Sequence, residues 1–340
     1  MNFLKKKPYL IAEIGVNHNG KLSLAIQTIK AAAKAGADAV KFQMFNADEF
    51  MSKKKLLFKY KTKKGNKSEN MYDMFKRLEF SEKWLSKIIQ VCKKNKVDFL
   101  SSVADKSSAY LMKKLKVKAI KLSSEDLINY PLLEYVATLG RNVILSTGMA
   151  NSEEITRGLS FFKKTKIKVI ILHCVSMYPT SIKDANLLRM VSLKKKYNVS
   201  VGYSDHTLGN EASIVATILG AEIIEKHFTL NKNLVGPDHL MSSDPKEFKE
   251  LADNIKKIHL ILGSSDIKPK KAEQNFKKIY RRSITSISQI AKGEKFSLKN
   301  IALMRPATGL HPKYYKKIIG KKSSRRLLKD KKIQLKDIKN

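Results

Sequence analysis

Cysteine is almost missing from this chain. Two occur in 340 residues, Cys92 and Cys174, too far apart in sequence to act as a metal pair. Each falls in or beside an apolar stretch, which reads as a reduced, buried thiol and predicts a cytoplasmic protein. No apolar run reaches the length of a membrane span. The opening MNFLKKKPYLIAEIG has neither the apolar stretch nor the small-residue cleavage site of a signal peptide. The first strand-to-helix turn, IGVNHNG, is not the G-x-G-x-x-G fingerprint of a dinucleotide site. No internal repeat or low-complexity tract occurs.

Acidic residues are also scarce. Thirty Asp and Glu face 68 Lys and Arg, for a formal net charge of +38. Such a charge raises the question of a nucleic-acid partner. The lysines, however, far outnumber the arginines that bidentate recognition prefers, and they are scattered through IKKIHL, LKKKYN and CKKNK with few aromatics between them. That argues for a solubilising surface over a nucleic-acid or anionic-surface binding protein. The same field would attract small anionic substrates.

What the chain has is alternation. It is 43% hydrophobic, enough for a substantial core. Eight short β-branched runs occur, at 9–15, 39–44, 97–103, 119–124, 142–147, 168–174, 199–205 and 221–228. Amphipathic segments at 21–36, 81–95, 105–115, 130–139, 152–163, 184–196 and 210–220 separate them, and a last one follows at 245–262. Strand then helix, eight times, predicts an α/β fold of the (β/α)₈ TIM-barrel type over 1–263, with an open doubly wound sheet as the competing topology. The polar stretch 45–80 reads as an insertion at the mouth. Residues 264–282 read as a linker, and 283–340 as a small β-rich domain too small for a secure core of its own.

Polar residues concentrate at the C-terminal ends of the strands, the active face of such a barrel. These ends carry Glu13, Lys41, Ser102, Lys121, Ser124, Asp126, Ser146, Ser176, Tyr178, Ser204, His206, Glu225 and His227. Each alone has a bland explanation: serines cap helices, lysines snorkel, and a lone histidine is usually structural. Jointly, two lysines with several hydroxyls suit a phosphate or carboxylate. Two histidines from adjacent strands, with carboxylates nearby, suit a divalent metal. By strand parity, Glu225 and His227 share one face and Lys226 takes the other.

The ordered set IAEIGVNHNG, VKFQ, ILSTGMA, LHCVSMYPT, GYSDHT and IEKHFT with GPDH resembles the sialic acid synthases, including legionaminic and pseudaminic acid synthases. RRSI, KGE and RPATG resemble that family's C-terminal SAF (antifreeze-like) domain. The resemblance implies a transferase that joins phosphoenolpyruvate to an N-acetylated amino sugar with C–O cleavage. His206 and His227 would hold the metal, usually manganese, with magnesium or cobalt as alternatives. Lys41, Ser102, Lys121, Ser146 and Ser204 would grip phosphoenolpyruvate, with Ser124 and Ser176 beside them. Glu13, Glu225 and Asp238 would serve the chemistry, and Asp126 and Tyr178 would bind the sugar. Arg305 would reach the N-acetyl group across a domain-swapped homodimer. The chain departs from the family's pattern at SSVAD (for S-T-P-F-D), at Glu125-Asp126 (for Gly-Glu) and at RPATG (for R-P-G-T/N-G). None of these departures touches the histidines or the lysines. A non-catalytic family member is the competing reading.

Overall fold

A computed structural model of the chain describes residues 7–52 and 55–339. The first six residues of the segment expected to lack a leader lie outside that range, as do residues 53–54 of the insertion and residue 340 of the small domain. The chain forms two compact units, Met1–Gly263 and Ser264–Asn340.

In the first unit, β1 (Tyr9–Gly15) and β2 (Ala39–Met44) precede a hairpin of β3 (Leu57–Thr62) and β4 (Gly65–Asn70). Then come β5 (Asp98–Val103), β6 (Ala119–Leu122), β7 (Asn142–Ser146), β8 (Val169–His173), β9 (Ser200–Asp205) and β10 (Ile223–His227). All except the hairpin pair in parallel and close into a barrel, in the order β1-β10-β9-β8-β7-β6-β5-β2. The fold is therefore a (β/α)₈ barrel, and closure excludes the open sheet. Among the described residues, no helix is long and apolar enough to cross a membrane.

Strand parity divides the core in two. Facing inward, Ile11, Ala39, Leu100, Ala119, Ile144, Leu172 and Ile223 form an apolar plug. Facing outward, Leu10, Ala12, Val40 and Phe42 pack with Ala25, Ile29 and Ala32 of helix Leu22–Lys34. Those three helical positions fall on one stripe, as a 3.6-residue repeat requires. Helix Ser152–Ser160 starts from a capping box in which Asn151 accepts from Glu154 N–H and Glu154 accepts from Asn151 N–H.

The insertion is structured. Its hairpin and helix Met71–Leu78 contribute Tyr60, Met74 and Leu78 to a small cluster with Val16, just beyond β1. In the second unit, the stretch expected to be a plain linker contains helix Glu273–Tyr280. β11 (Ser283–Ser286) and β12 (Ile301–Met304) pair antiparallel. The unit, expected to be marginal for an independent core, has one. Ile284, Ile290, Phe296, Ile301, Leu310, Ile318, Leu327 and Ile333 are all buried together.

Candidate active site

Two positions beyond the plug residues, on the same face of each strand, stand Glu13, Lys41, Ser102, Lys121, Ser146, Cys174 and Glu225. On β9 the plug-level residue is Gly202, where a Cβ would lie 2.6 Å from the Ile223 carbonyl oxygen, and Ser204 follows two positions on. A polar layer thus sits directly on an apolar one. All its members are buried.

The charges in this layer are arranged around lysine. Lys41 Nζ lies 2.7 Å from Glu13 Oε2 and 3.8 Å from Glu225 Oε1. Lys121 Nζ lies 3.9 Å from Glu225 Oε1 and donates to Ser146 Oγ at 2.6 Å. Ser204 Oγ donates to Glu225 Oε1 at 3.0 Å, while Glu225 Oε2 is buried with no hydrogen-bond partner. Burial pushes the Glu13 carboxyl up to about 7, against the pull of Lys41. Glu225 is also pushed up by burial, but Lys121 and Lys41 outweigh this and its pKa falls below the ordinary carboxylate value. Burial lowers Lys41, yet Glu13 and Glu225 more than restore it; for Lys121 burial wins and its pKa is lowered.

Hydroxyls converge beside these lysines at Gly148. Its N–H donates to Ser124 Oγ at 3.0 Å, and Ser124 Oγ is 3.1 Å from Cys174 Sγ. A Cβ built on Gly148 would lie 2.3 Å from Ser176 Oγ and 2.8 Å from Ser124 Oγ. Only glycine keeps this space open. Lysines, hydroxyls and a bare backbone in one place suit an anion with several oxygens.

The two histidines meet at the mouth. Their ring centroids are 5.7 Å apart, and Tyr178 packs 4.3 Å from His206 and 5.9 Å from His227. His206 Nδ1 lies 2.7 Å from the Val175 carbonyl. A carbonyl can only accept, so Nδ1 carries the proton and Nε2 keeps its lone pair. His227 Nδ1 is buried with no hydrogen-bond partner and lies 3.8 Å from Asp238 Oδ2. Burial lowers the pKa of both rings, so each is a neutral imidazole with a lone pair to give. Burial raises Asp238 to about 6. Two neutral imidazoles with a carboxylate beside them have the donor chemistry of a divalent-ion site. Among the described residues, no group of three or more His, Cys, Asp or Glu forms a complete protein-only metal cage.

Two cavities open above this layer. One of about 500 Å³ is lined by Ser102, Glu125, Asp126, Gln43 and Glu49. The other, of about 1000 Å³, is lined by His227, Tyr178 and Asp238, with Phe58 and Tyr60 of the hairpin as a wall. Burial and the neighbouring Glu125 push Asp126 up to about 6. Gln43 lines both cavities and donates to Glu13 Oε1 at 3.1 Å. It stands two positions beyond Lys41, a parity signal that could have placed it among the site residues. The barrel thus brings every predicted site residue but one to its mouth. The exception, Arg305, belongs to the second unit, where its guanidinium lies 5.5 Å from the Tyr280 ring centroid. Cys92 and Cys174 are buried free thiols.

Comparison with known proteins places the chain in a family. The NeuB family model matches residues 28–267 and the SAF domain model residues 281–339. An N,N'-diacetyllegionaminic acid synthase of Campylobacter jejuni is 40% identical over 328 residues, spanning 96% of this chain and 98% of that protein. A pseudaminic acid synthase of the same species is 36% identical over 323 residues, 94% of this chain and 93% of its own. The solved N-acetylneuraminic acid synthetase of Leptospira borgpetersenii, in complex with citrate, superposes with a TM-score of 0.72. It is 37% identical and covers 80% of this chain and 90% of its own. The chain belongs to the NeuB family and ends in a SAF domain.

Proposed function

We propose that the protein is a nonulosonic acid synthase. It condenses phosphoenolpyruvate with an N-acetylated hexose and water, giving a nine-carbon 2-keto acid and phosphate. The acceptor is N-acetylmannosamine or a 2,4-diacetamido-trideoxyhexose. Support comes from the names borne by similar proteins. The observation that carries the reading is the layered mouth: two buried lysines and a ring of hydroxyls lying beneath two neutral histidines.

Lys41 and Lys121, with Ser102, Ser124, Ser146, Ser176 and Ser204, hold the phosphate and carboxylate of phosphoenolpyruvate. Its C3 forms the new bond to the aldehyde carbon, and positive charge develops at C2. The buried carboxylates Glu13 and Glu225 lie in the layer where that charge forms. Water adds to C2, one of its protons going to the aldehyde oxygen to make the new hydroxyl; the C2 hydroxyl then gives up the other as the C2–O bond to phosphate breaks and the ketone forms. Burial raises the basicity of the Glu13 carboxyl, which suits it to accept and return these protons. Asp238 stands beside His227 for the same service. His206 and His227 would hold the divalent cation, manganese before magnesium or cobalt, which when bound supplies Lewis-acid polarisation of the aldehyde oxygen. Asp126 and Tyr178 hold the sugar. The domain-swapped homodimer, with Arg305 at the N-acetyl group, is part of the same proposal.

The test is phosphate release in the presence of manganese with each acceptor. At least one should give equal amounts of phosphate and 2-keto-3-deoxy acid. No phosphate with any acceptor overturns the reading.

A further inference from the structure

Behind the barrel wall, on the face turned away from the site, lies an ion pair that the chemistry above does not use. Lys226 and Asp205 are register partners on β10 and β9, exposed by only 2% and 1%. Lys226 Nζ lies 2.8 Å from Asp205 Oδ2 and donates to the Thr207 carbonyl at 2.9 Å. Asp205 Oδ2 also accepts from Ser213 Oγ at 2.6 Å. Its Oδ1 accepts from Thr207 N–H at 2.8 Å and from Thr207 Oγ1 at 2.7 Å. Both carboxylate oxygens are therefore filled.

Burying two charges is costly, and an apolar pair of similar volume would hold two strands together at least as well. A buried pair of this kind is better suited to fixing geometry. Its sequence neighbours are His206 and His227. Asp205 and Thr207 bracket His206, so the pair clamps the backbone on both sides of that residue. On the far side, the His206 carbonyl accepts from Thr180 N–H at 2.8 Å. Lys226 immediately precedes His227, whose carbonyl accepts from Ser243 N–H at 2.8 Å.

We infer that Asp205 and Lys226 are positioning residues: their ion pair fixes the spacing of His206 and His227 and so sets the affinity for the divalent ion. This rests on the reading that the two histidines hold that ion. Outer-shell partners of metal ligands typically carry a 10- to 100-fold effect on affinity.

The experiment is a manganese titration of the full chain, followed calorimetrically and by electron paramagnetic resonance. Parent, His227→Ala, Lys226→Met and the charge-free Lys226→Met/Asp205→Asn protein are compared. Phosphoenolpyruvate affinity without metal is the control, since the lysines that grip it are untouched. The expected result is folded Lys226 variants with manganese Kd raised about 10- to 100-fold and unchanged phosphoenolpyruvate Kd. A manganese Kd within twofold of the parent overturns the inference, as does parallel loss of both affinities. If Lys226→Met does not fold, the doubly substituted protein decides. If neither folds, the pair is a folding requirement and the positioning role is refuted. A parent that binds no manganese, or a His227→Ala protein that binds it as tightly, fails the metal reading instead.

Discussion

Lys41 Nζ stands 2.7 Å from Glu13 Oε2 and 3.8 Å from Glu225 Oε1, and all three side chains are buried. Lys41 thus faces two carboxylates away from water, and of the two only Glu225 also has Lys121 beside it. Removing Lys41 leaves Glu13 without a cation, while Glu225 keeps Lys121 at 3.9 Å and the Ser204 hydroxyl. Lys41→Met should cost roughly 3–5 kcal/mol of stability at pH 7.5 by urea unfolding. Without the lysine, burial holds the Glu13 carboxyl still further above its unfolded pKa. The penalty is then full at high pH and shrinks as the pH falls toward the unfolded value. Lys41→Met should therefore lose less at pH 5, and adding Glu13→Gln should recover part of the loss. A loss independent of pH would show that the lysine matters only as packing.

Gly148 leaves room among the Ser124, Ser176 and Cys174 side chains, where the proposed reading puts the substrate anion. Gly148→Ala puts a methyl among Ser124, Ser176 and Cys174. Two of the nearest atoms are serine hydroxyls that can swing aside, so the fold should survive. Phosphoenolpyruvate KM should rise about tenfold, equivalent to roughly 1.4 kcal/mol. Unchanged KM would place the substrate anion elsewhere.

Asp126 carries a pH signature. Its carboxyl moves from an ordinary 3.8 to about 6, chiefly through burial, with Glu125 adding to the shift. An acid with a raised folded pKa costs nothing below pH 4, costs progressively more between 4 and 6, and costs its full amount above 6. Asp126→Asn should therefore be more stable than the parent at pH 7.5 by roughly 1–3 kcal/mol, and equal to it near pH 4. Urea titrations at the two pH values measure this. Greater stability of the parent at pH 7.5 contradicts it.

Most of the barrel is legible in the sequence, because each strand is a β-branched run and each helix has an apolar stripe. Strands 9–15 and 39–44 and helix 245–262 carry the bounds expected of them. The hairpin of β3 and β4 was missed. β3 alternates exposed Leu57, Lys59 and Lys61 with more buried Phe58, Tyr60 and Thr62, but β4, GNKSEN, has no apolar residue to show a matching period; Gly65, with φ +113°, marks the turn. Helix Glu273–Tyr280 is two turns long in a polar stretch, and its short apolar stripe, Phe276, Ile279 and Tyr280, is exposed and so marks no core. The second unit's core is drawn from residues spread over 284–333 with little regular structure, and periodicity cannot find it. At the site, parity turned Lys226 outward correctly. Its partner Asp205 comes from register between two strands, which one strand's pattern does not contain.

The central claim is a condensation in which phosphate leaves with its bridging oxygen. Phosphoenolpyruvate carrying ¹⁸O at the bridge should be turned over with manganese and the accepted sugar, and the products weighed by mass spectrometry. The account predicts labelled phosphate and an unlabelled 2-keto acid whose new oxygen comes from water. Unlabelled phosphate, with the label retained in the acid, would contradict it.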